Sequence, residues 1–504
     1  MKRLLLIFVT AFLLCSCAKQ NKAEETYTEV SQLDGQIIGC MSGSIFDATI
    51  RETFKKSEVV YFNSRAELLN GLKQNKIEAY IADEPVAMLM CNENDDITYL
   101  KQPLTVSNFG ICFSKDNFIL QNEFNEFLSS IEANGTLKSL QDKWISFDAM
   151  SKKVEEYPNN NSKGTIKAIT TPDAAPFSFF KNNEWQGLEV ELLYMFCSEY
   201  GYNLKIDSSS FDALLSAAAS NKYDVAFNGI CITEERKKSV NFSNPIYKSD
   251  AVAMIRKPSS NLTESKDIIT SIKDKIYRNF INEGSYKLII KGMFTTLSIS
   301  FLSILFGTIN GFLMYLLARR FDGVVKTILD KCVSIIGGLP SVIVLMVLFY
   351  IVFSKSSLSG VAVSIIGFTI MFTGSVYGLL KSGSSAIDKG QLEGALALGY
   401  SQRKSLFKFV LPQALKIVMP SYKKEIVSLV KSSSIVGYVT VQDITRVSDI
   451  IRSKTYDAFL PLLLTAAIYF VLAKLLTDLV EYIQRRILPH EKTKEEILKS
   501  LGKL

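Results

Sequence analysis

The pattern of hydrophobic and polar positions changes once along the chain. From Ala18 to about Gly284, short β-branched runs such as Gln36–Cys40 alternate with helical patterns such as Ser64–Asn75. This alternation is typical of an α/β region. From Lys291 onward, the chain contains long segments without any charged residue. The pattern therefore predicts a polar α/β region followed by helices that cross a membrane.

The membrane region contains three strong candidate spans and two weaker ones. A helix of roughly 20 residues crosses a hydrocarbon core of about 30 Å. The strong candidates carry no charge, whereas the weaker ones contain Lys431 or the pair Lys474 and Asp478. We therefore expect five spans. They are Gly292–Ala318, Cys332–Ser354, Ser356–Leu380, Ile426–Gln442 and Ala458–Val480.

Loop charges predict the orientation of these spans, because Lys and Arg collect on the cytoplasmic side. The loop after the first span contains four basic residues, whereas the loop after the second contains only Lys355. With five spans, the α/β region then lies outside and the C-terminal Arg485-Arg486 pair lies inside. We expect a multi-pass protein of a bacterial plasma (inner) membrane.

The N-terminus has the layout of an export signal. Met1-Lys2-Arg3 is followed by an apolar stretch, Leu4–Ala18, that is too short for a comfortable membrane span. Within it, Leu14–Cys17 resembles a bacterial lipobox, which predicts removal of residues 1–17 as a lipoprotein-type signal, with lipid attached to Cys17. The alternative is an uncleaved N-terminal anchor.

Composition excludes several classes of function. A net charge of +7, from 57 basic and 50 acidic residues, is weak evidence for a nucleic-acid partner. The single His490 lies in the charged tail, and the eight cysteines form no zinc-binding pattern. No phosphate-binding Gly-x-x-x-x-Gly-Lys-Ser/Thr motif is present. We therefore expect neither catalysis nor a metal, cofactor or nucleic acid bound by this chain.

The long loop after the third span contains a specific motif. Residues 389–399 read Lys-Gly-Gln-Leu-Glu-Gly-Ala-Leu-Ala-Leu-Gly, and Leu-Pro-Gln-Ala follows at 411–414. This resembles the coupling loop of bacterial ABC importer permeases, in which a short helix docks on a separate ATPase. The resemblance implies a homodimeric permease and a cytoplasmic ABC ATPase dimer that binds ATP and magnesium. The coupling residues it identifies are Glu393, Gly394, Ala395 and Gly399.

Residues 165–258 resemble the first half of periplasmic amino-acid-binding proteins. The resemblance is carried by Thr170-Thr171-Pro172, Gly187–Glu191, Asn228–Arg236 and Asn241-Phe242-Ser243. It implies that Arg236 binds the ligand's α-carboxylate through its planar guanidinium. It also implies that Phe211 packs on the ligand, and that Gly229 and Cys231 offer it backbone or side-chain contacts.

Residues 31–148 resemble the second half of the same proteins, so the halves occur in reversed order. The resemblance is carried by Leu33–Ser44, by Ala66–Pro85 and by Asn134–Trp144. It implies that Asp83 binds the ligand's α-ammonium and that Ser42, Gly43 and Ser44 receive oxygens at a helix N-terminus. We predict one circularly permuted binding domain that closes within one chain; the alternative pairs the halves between two chains.

The sequence thus predicts a two-lobed α/β binding domain followed by an all-α transmembrane domain. The predicted function is the transmembrane subunit of an amino-acid ABC importer with fused substrate capture. The alternatives are a ligand-gated channel of the glutamate-receptor type and a tethered sensor without transport. The predicted segments are a signal at 1–17, half-domains at 31–148 and 165–258, linkers at 149–164 and 259–284, a transmembrane domain at 285–488 with a coupling loop at 385–424, and a cytoplasmic tail at 489–504.

Overall fold

The computed structural model describes most of the chain downstream of the N-terminal segment. The predicted signal 1–17 with Cys17, most of the predicted linker 259–284, and the predicted tail 489–504 lie outside the described residues. The described residues are 27–158, 162–257, 273, 275–281, 284–321, 323–354, 356, 358–455, 457 and 459–487.

The first part of the described chain alternates strands with helices. Its strands are β1 (Ile37–Met41), β2 (Glu58–Phe62), β3 (Ala79–Asp83), β4 (Ile97–Phe109), β5 (Cys112–Phe113), β6 (Gly164–Thr170), β7 (Asp173–Ala174), β8 (Ser178–Lys181), β9 (Glu184–Gln186), β10 (Tyr202–Ser208), β11 (Val225–Ala226), β12 (Asn241–Phe242) and β13 (Tyr247–Arg256). Its α-helices are α1 (Phe46–Thr53), α2 (Arg65–Lys73), α3 (Glu84–Glu93), α4 (Phe118–Ala133), α5 (Thr136–Trp144), α6 (Leu188–Tyr200), α7 (Phe211–Ala219) and α8 (Glu234–Lys237).

These strands form two five-stranded sheets and one small antiparallel sheet. The first large sheet has the order β2-β1-β3-β13-β4, and the second has the order β10-β6-β11-β5-β12. Strands β1, β2 and β3 are parallel, as are β6, β10 and β11. Parallel strands need helical crossovers, which the intervening helices provide. The α/β region therefore consists of two lobes, each with its own sheet.

Neither lobe is one continuous stretch of chain. The first lobe comprises residues 27–109 and 247–256, because β13 pairs with β3 and β4. The second lobe comprises 110–158 and 162–246, because β5 pairs with β11 and β12. The chain crosses between the lobes at two adjacent points, where Ile246 N donates to the Phe109 carbonyl at 2.8 Å and Ser243 N donates to the Ile111 carbonyl at 2.9 Å. Two adjacent crossing strands are suited to hinge motion.

The second lobe is held together by contacts between its two chain segments. Phe124 on α4 packs edge-to-face on Phe196 of α6, with ring centroids 5.2 Å apart. Glu191 on α6 is fully buried and accepts hydrogen bonds from Lys143 and Trp144 of α5. A buried carboxylate requires such donors. Residues 118–144 therefore complete the second lobe.

The remaining described residues form a helical region. Its helices are α9 (Ser285–Arg320), α10 (Val324–Gly337), α11 (Ser341–Val347, continued by a π-helical turn to Val352), α12 (Gly360–Ser385), α13 (Lys389–Ala397), α14 (Gln402–Ser405), α15 (Leu411–Ser432), α16 (Ile444–Thr455) and α17 (Phe459–Ile487). A short 3₁₀ helix, Ser433–Val439, follows α15.

The span count differs from the five expected from sequence. Within the described residues, α9, α12 and α17 are long and apolar enough to cross a membrane. The pair formed by α10 and α11 adds a fourth if it is one span, but it bends by 103°. The span predicted here was Cys332–Ser354. Gly338 and Pro340 lie between the two helices, and the pair bends there because proline interrupts helical hydrogen bonding. The predicted span Ile426–Gln442 is not one helix, since α15 ends at Ser432.

Close backbone contact joins α9 to α12. Gly307 and Gly311 are four residues apart on α9, and a side chain at either would come within 3 Å of Phe372 or Val376 on α12. Small residues at this spacing allow membrane helices to approach closely.

Helix α15 runs antiparallel to α12 along most of its length. Gly383 on α12 meets Ala414 and Val418, while Ser375 hydrogen-bonds Glu425 at 3.0 Å. Along this contact, residues with lower numbers on α12 lie beside residues with higher numbers on α15. Helix α15 therefore packs beside residues 375–383 of α12, although its charged residues distinguish its composition from that of the apolar helices. These residues are Lys416, Lys423, Lys424, Glu425 and Lys431.

The α/β region contacts one end of the helical region. Lys222 donates three hydrogen bonds to the carbonyls of Phe353, Ser356 and Leu358, at 3.1–3.2 Å. Tyr223 hydrogen-bonds Thr440 at 2.8 Å. These positions precede α12 and follow α15, so the contacted end is the one where α12 starts and α15 stops.

Candidate functional site

A small cavity lies between the two lobes, and we call it the cleft cavity. It is lined from the first lobe by β1, β3 and the starts of α1 and α2, and from the second lobe by α7, α8 and the turn before α8. Its volume is about 30 Å³, enough for only one or two water molecules. The lobes are therefore closed on each other. Six residues singled out from the sequence line it: Ser44, Asp83, Phe211, Gly229, Cys231 and Arg236.

Arg236 connects the two lobes. Thr233 caps α8 by accepting a hydrogen bond from the Arg236 N–H, which fixes the backbone beneath this side chain. Its Nη1 donates to the Cys231 carbonyl and its Nη2 donates to the Gly43 carbonyl of the first lobe, each at 3.0 Å. The guanidinium thus satisfies a backbone oxygen across the cleft.

Asp83 contributes a buried carboxyl from the first lobe. It ends β3, is only 8% exposed, and its Oδ1 is buried without a hydrogen-bond partner. Burial raises the pKa of Asp83 to about 7, and the nearby Arg65 opposes this rise. A buried carboxyl oxygen that lacks a partner is energetically costly. The cleft therefore offers a vacant acceptor near neutral pH.

Two charged residues near the cleft cavity were not singled out from the sequence. Arg65 begins α2, lines the cavity, and forms an ion pair with Asp173 of the second lobe at 3.6 Å. Glu189 on α6 is fully buried, and both of its oxygens accept from the Gly229 N–H at 2.9–3.0 Å. Burial raises the pKa of Glu189 to about 8, while the Gly229 hydrogen bond and Arg65 oppose the rise.

The sequence offers a signal for only one of these two residues. Glu189 lies in the Gly187–Glu191 motif, where it interrupts a run of apolar residues that becomes α6. Gly229 adopts a positive φ of 61°, and Glu189 holds its N–H in place. Arg65 follows the N-cap Ser64 like any helix-start residue, so its role is visible only in the closed lobes.

The other predicted binding residues lie at different distances from the cavity. Phe211 starts α7 and lines the cavity. Burial raises the pKa of Cys231 to about 12, so this residue presents a neutral thiol. Gly43 contacts Arg236 through its carbonyl. Ser42 is not part of the cavity lining and hydrogen-bonds Asn63 at 3.4 Å.

The predicted coupling residues form a short exposed helix, α13, at the end of the helical region opposite the lobes. Asp388 caps its start, and Gly399, with a φ of 83°, ends it. The Gly399 and Tyr400 N–H groups donate to the carbonyls of Leu396 and Ala395, which is a Schellman cap. Glu393 and Gly394 are exposed, whereas Ala395 is 4% exposed and anchors the helix.

Exposed apolar side chains accompany this helix. Leu396 is 42% exposed and Leu398 is 77% exposed. Such side chains beside a short surface helix are typical of a docking element. Among the described residues, no group of three or more His, Cys, Asp or Glu side chains is arranged to hold a metal ion.

Two family models match the chain. The model of bacterial extracellular solute-binding proteins, family 3, matches residues 166–331. The model of the binding-protein-dependent transport system inner membrane component matches residues 303–489. Residues 303–331 fall in both ranges but lie in α9 and α10, and the strands of the second lobe and β13 end at Arg256. The structure therefore supports the solute-binding match only as far as β13.

Similar proteins include named transport permeases. The putative glutamine transport system permease protein GlnP of Rickettsia felis is 28% identical over 205 residues, 40% of this chain and 93% of that protein. The arginine transport system permease protein ArtQ of Bacillus subtilis is 29% identical over 204 residues, 40% of this chain and 92% of that protein. One solved structure, of an amino acid ABC transporter with histidines, is 26% identical with a TM-score of 0.38 and covers 44% of this chain and 100% of that chain.

The two matches follow the two regions of the fold except at residues 303–331, which fall in both. The two-lobed region overlaps the solute-binding family, and the helices overlap the transport family and its permease relatives. Its apolar helices make it a multi-pass membrane protein. The chain therefore fuses a region that matches the family 3 solute-binding proteins to a following helical region that matches the inner membrane component of binding-protein-dependent transport systems.

Proposed function

We propose that this chain imports amino acids and captures them in its own two-lobed domain. The observation that carries the proposal is the charge arrangement of the cleft cavity. Arg236 comes from the second lobe and Asp83 from the first, and both line the same cavity. An amino-acid zwitterion carries a carboxylate and an ammonium on one carbon, so it complements both groups at once.

In this proposal, ligand binding favours the closed state because the ligand contacts both lobes. Arg236 already donates to the Gly43 carbonyl across the cleft. A ligand carboxylate is a stronger acceptor than this carbonyl and takes its place. The ligand ammonium supplies the missing donor to Asp83. A ligand with differential affinity for two states shifts the equilibrium between them.

The two-lobed domain is, in our proposal, a circular permutant that closes within one chain. Both predicted halves contribute strands to both lobes, and the two crossings lie side by side. The Gly229 loop, Cys231 and Phe211 then contact the ligand from the second lobe, and Ser44 contacts it from the first. Ser42 and Gly43 support the Ser44 turn.

For energy coupling, we propose that α13 docks on an ABC ATPase that binds ATP and magnesium in place of this chain. The support is the exposed helix with its glycine cap and apolar side chains. Two copies of this chain would then form the permease, with two ATPase subunits beneath them. Enzymatic ATP hydrolysis belongs to that partner.

The proposed topology places the lobes outside and α13 inside the inner membrane. The lobes contact the end where α12 starts, and α13 follows the other end of α12. If α15 crosses beside α12 and the bent pair α10–α11 also crosses, the chain has five crossings. Its C-terminus is then cytoplasmic, as loop charges require. Lipid attachment at Cys17 remains part of this proposal.

Calorimetric titration of the purified full-length chain with the common amino acids tests the proposed ligand. We expect saturable binding of one or a few amino acids in the wild type, and a large loss of affinity at the cleft site in Asp83→Ala and Arg236→Ala. Arg51→Ala, which removes an ion pair with Asp47 on the surface of the first lobe, is the matched control and should bind normally. A folded wild type that binds no amino acid would contradict the proposal.

A further inference from the structure

A second cavity lies between the two-lobed domain and the membrane helices, and we call it the interface cavity. Its volume is about 200 Å³, more than ten times the roughly 15 Å³ that one water molecule needs. Both lobes line it, as do α16 and the 3₁₀ helix Ser433–Val439. The interface cavity is therefore the larger of the two spaces along the line from the cleft toward the membrane.

The two cavities share a wall. Met41 and Phe211 line both of them. The Arg65–Asp173 ion pair joins the lobes in the same wall, since Arg65 lines the cleft cavity and Asp173 lines the interface cavity. Because Met41 belongs to the first lobe and Phe211 to the second, parting of the lobes opens this wall. A ligand leaving the cleft on this side enters the interface cavity.

The interface cavity carries both signs of charge. Arg446 and Asp449 line it from α16 and are three residues apart, which puts them on one face of the helix with side chains about 5–6 Å apart at their bases. Arg446 Nη2 donates to the Ser209 carbonyl, which fixes the guanidinium at the boundary between domain and helices. Arg452, one turn further along α16, forms an ion pair with Asp449 at 2.9 Å.

Several polar atoms of this lining lack partners. The hydroxyl oxygens of Ser209 and Ser210 and the Nε of Arg446 are buried and make no hydrogen bond. Buried polar atoms in native proteins almost always have partners. Three such atoms around one cavity indicate a site that gains hydrogen bonds when a polar molecule enters it.

We propose that the interface cavity is a second, transit site for an amino-acid zwitterion on its way from the cleft to the membrane helices; this inference rests on the proposed function. Arg446 binds the α-carboxylate and Asp449 binds the α-ammonium. The serine hydroxyls of the second lobe complete the contacts while that lobe is docked. The permease thus receives the substrate through groups of its own before the lobes release it.

Equilibrium binding of radiolabelled common L-amino acids to the full-length chain in nanodiscs tests this inference. We expect two saturable sites per chain in the wild type. Asp83→Asn should remove the cleft site and keep the second, whereas Arg446→Gln should keep the cleft site and weaken the second by about tenfold or more.

A cavity-filling variant separates ligand contact from docking. Gly437 lines the interface cavity, and a Cβ added there meets nothing within 4 Å. Gly437→Leu should therefore also remove the second site while leaving the Arg446 contact to Ser209 intact. Lys474→Gln, at a side chain 62% exposed on α17, is the neutralisation control and should leave both sites unchanged.

The remaining outcomes contradict the inference in distinguishable ways. A single site that Asp83→Asn removes would overturn the transit site and leave the proposed function standing. Two sites that both survive Arg446→Gln and Gly437→Leu would also overturn it. A wild type with no amino-acid site would overturn the inference and the proposed function together.

Discussion

The cleft cavity and the α13 helix assemble their residues in opposite ways. The cleft draws Asp83, Phe211 and Arg236 from three elements spread over more than 150 positions; it buries Asp83 and half-buries the other two. Helix α13 takes its residues from one stretch of nine and leaves most of them exposed. Burial of a charged group in the cleft costs free energy unless a ligand of opposite charge binds there. Helix α13, in contrast, is exposed and can contact a partner protein through the shape of its surface. Changes in the cleft should therefore alter affinity, and changes in α13 should alter transport alone.

The largest effect should come from Arg236→Ala. Removing a charge-assisted, two-pronged contact costs about 1.5–3 kcal/mol, so amino-acid affinity should fall roughly 10- to 150-fold. Titration calorimetry of the full-length chain measures this, with Arg51→Ala as the surface control. An unchanged affinity would show that Arg236 does not bind the ligand. It would also contradict the expectation that changes in the cleft, unlike changes in α13, alter affinity.

A coupling variant should lower transport by about tenfold without changing affinity. Gly399 has a φ of 83°, and a β-branched residue there is strained by more than the roughly 1–2 kcal/mol of an ordinary side chain. Gly399→Val should thus disturb the end of α13 and reduce uptake into proteoliposomes that contain the ATPase.

The matched control for this variant is Gly378→Ala on α12, which is not one of the coupling residues. Gly378 has no positive φ, and a Cβ there meets nothing within 4 Å. Alanine favours the helix by roughly 1 kcal/mol, so uptake should be retained. Reduced binding in Gly399→Val would show that the cleft and α13 are not separable.

Affinity should also depend on pH through Asp83. In the free cleft the pKa of Asp83 is about 7, and a bound ammonium favours the ionised form. Below pH 7 the free carboxyl is protonated and must lose its proton on binding. Affinity should fall about tenfold between roughly pH 8 and pH 6. A wild-type affinity that is the same at pH 6 and pH 8 would exclude Asp83 as the titrating group.

The smallest effect should come from Glu189→Gln. The folded-state pKa of Glu189 is raised from 4.5 to about 8, so the folded state holds a proton that the unfolded state releases. This stabilisation is complete below about pH 4.5 and is lost as the pH rises through 8. Glu189→Gln should therefore reduce the alkaline fall in Tm by a few degrees, measured by thermal unfolding in nanodiscs.

Glu155→Gln is the control for that measurement. Glu155 is 72% exposed and pairs with Lys143 at 3.8 Å, so its replacement should leave the pH dependence of Tm unchanged. An equal effect of the two variants would show that burial of Glu189 has no special consequence.

The sequence predicted well those features of the fold that depend on patterns within one contiguous segment. The α/β alternation and the charge-free runs predicted the two regions of the fold, since local periodicity reflects which faces are buried. The motif at 389–399 predicted a short helix, and the structure has one at Lys389–Ala397.

Features that depend on closure of the fold were missed. Arg65 looks like an ordinary helix-start residue, and only the approach of the second lobe gives it Asp173 and the cleft as neighbours. The second span was predicted as one run because hydropathy does not register the 103° bend. The fourth was misplaced because α15 carries its charges where Lys423 pairs with Glu481 of α17 and Glu425 bonds Ser375.

The lysine that joins the domain to the helices has an evolutionary consequence. Lys222 is 8% exposed and recognises only main-chain oxygens in the segment before α12, while desolvation lowers its pKa. Every residue type carries the same carbonyl. The contact therefore depends on the backbone path before α12 rather than on the identity of the Ser356 and Leu358 side chains, whereas Lys222 itself has little latitude to change.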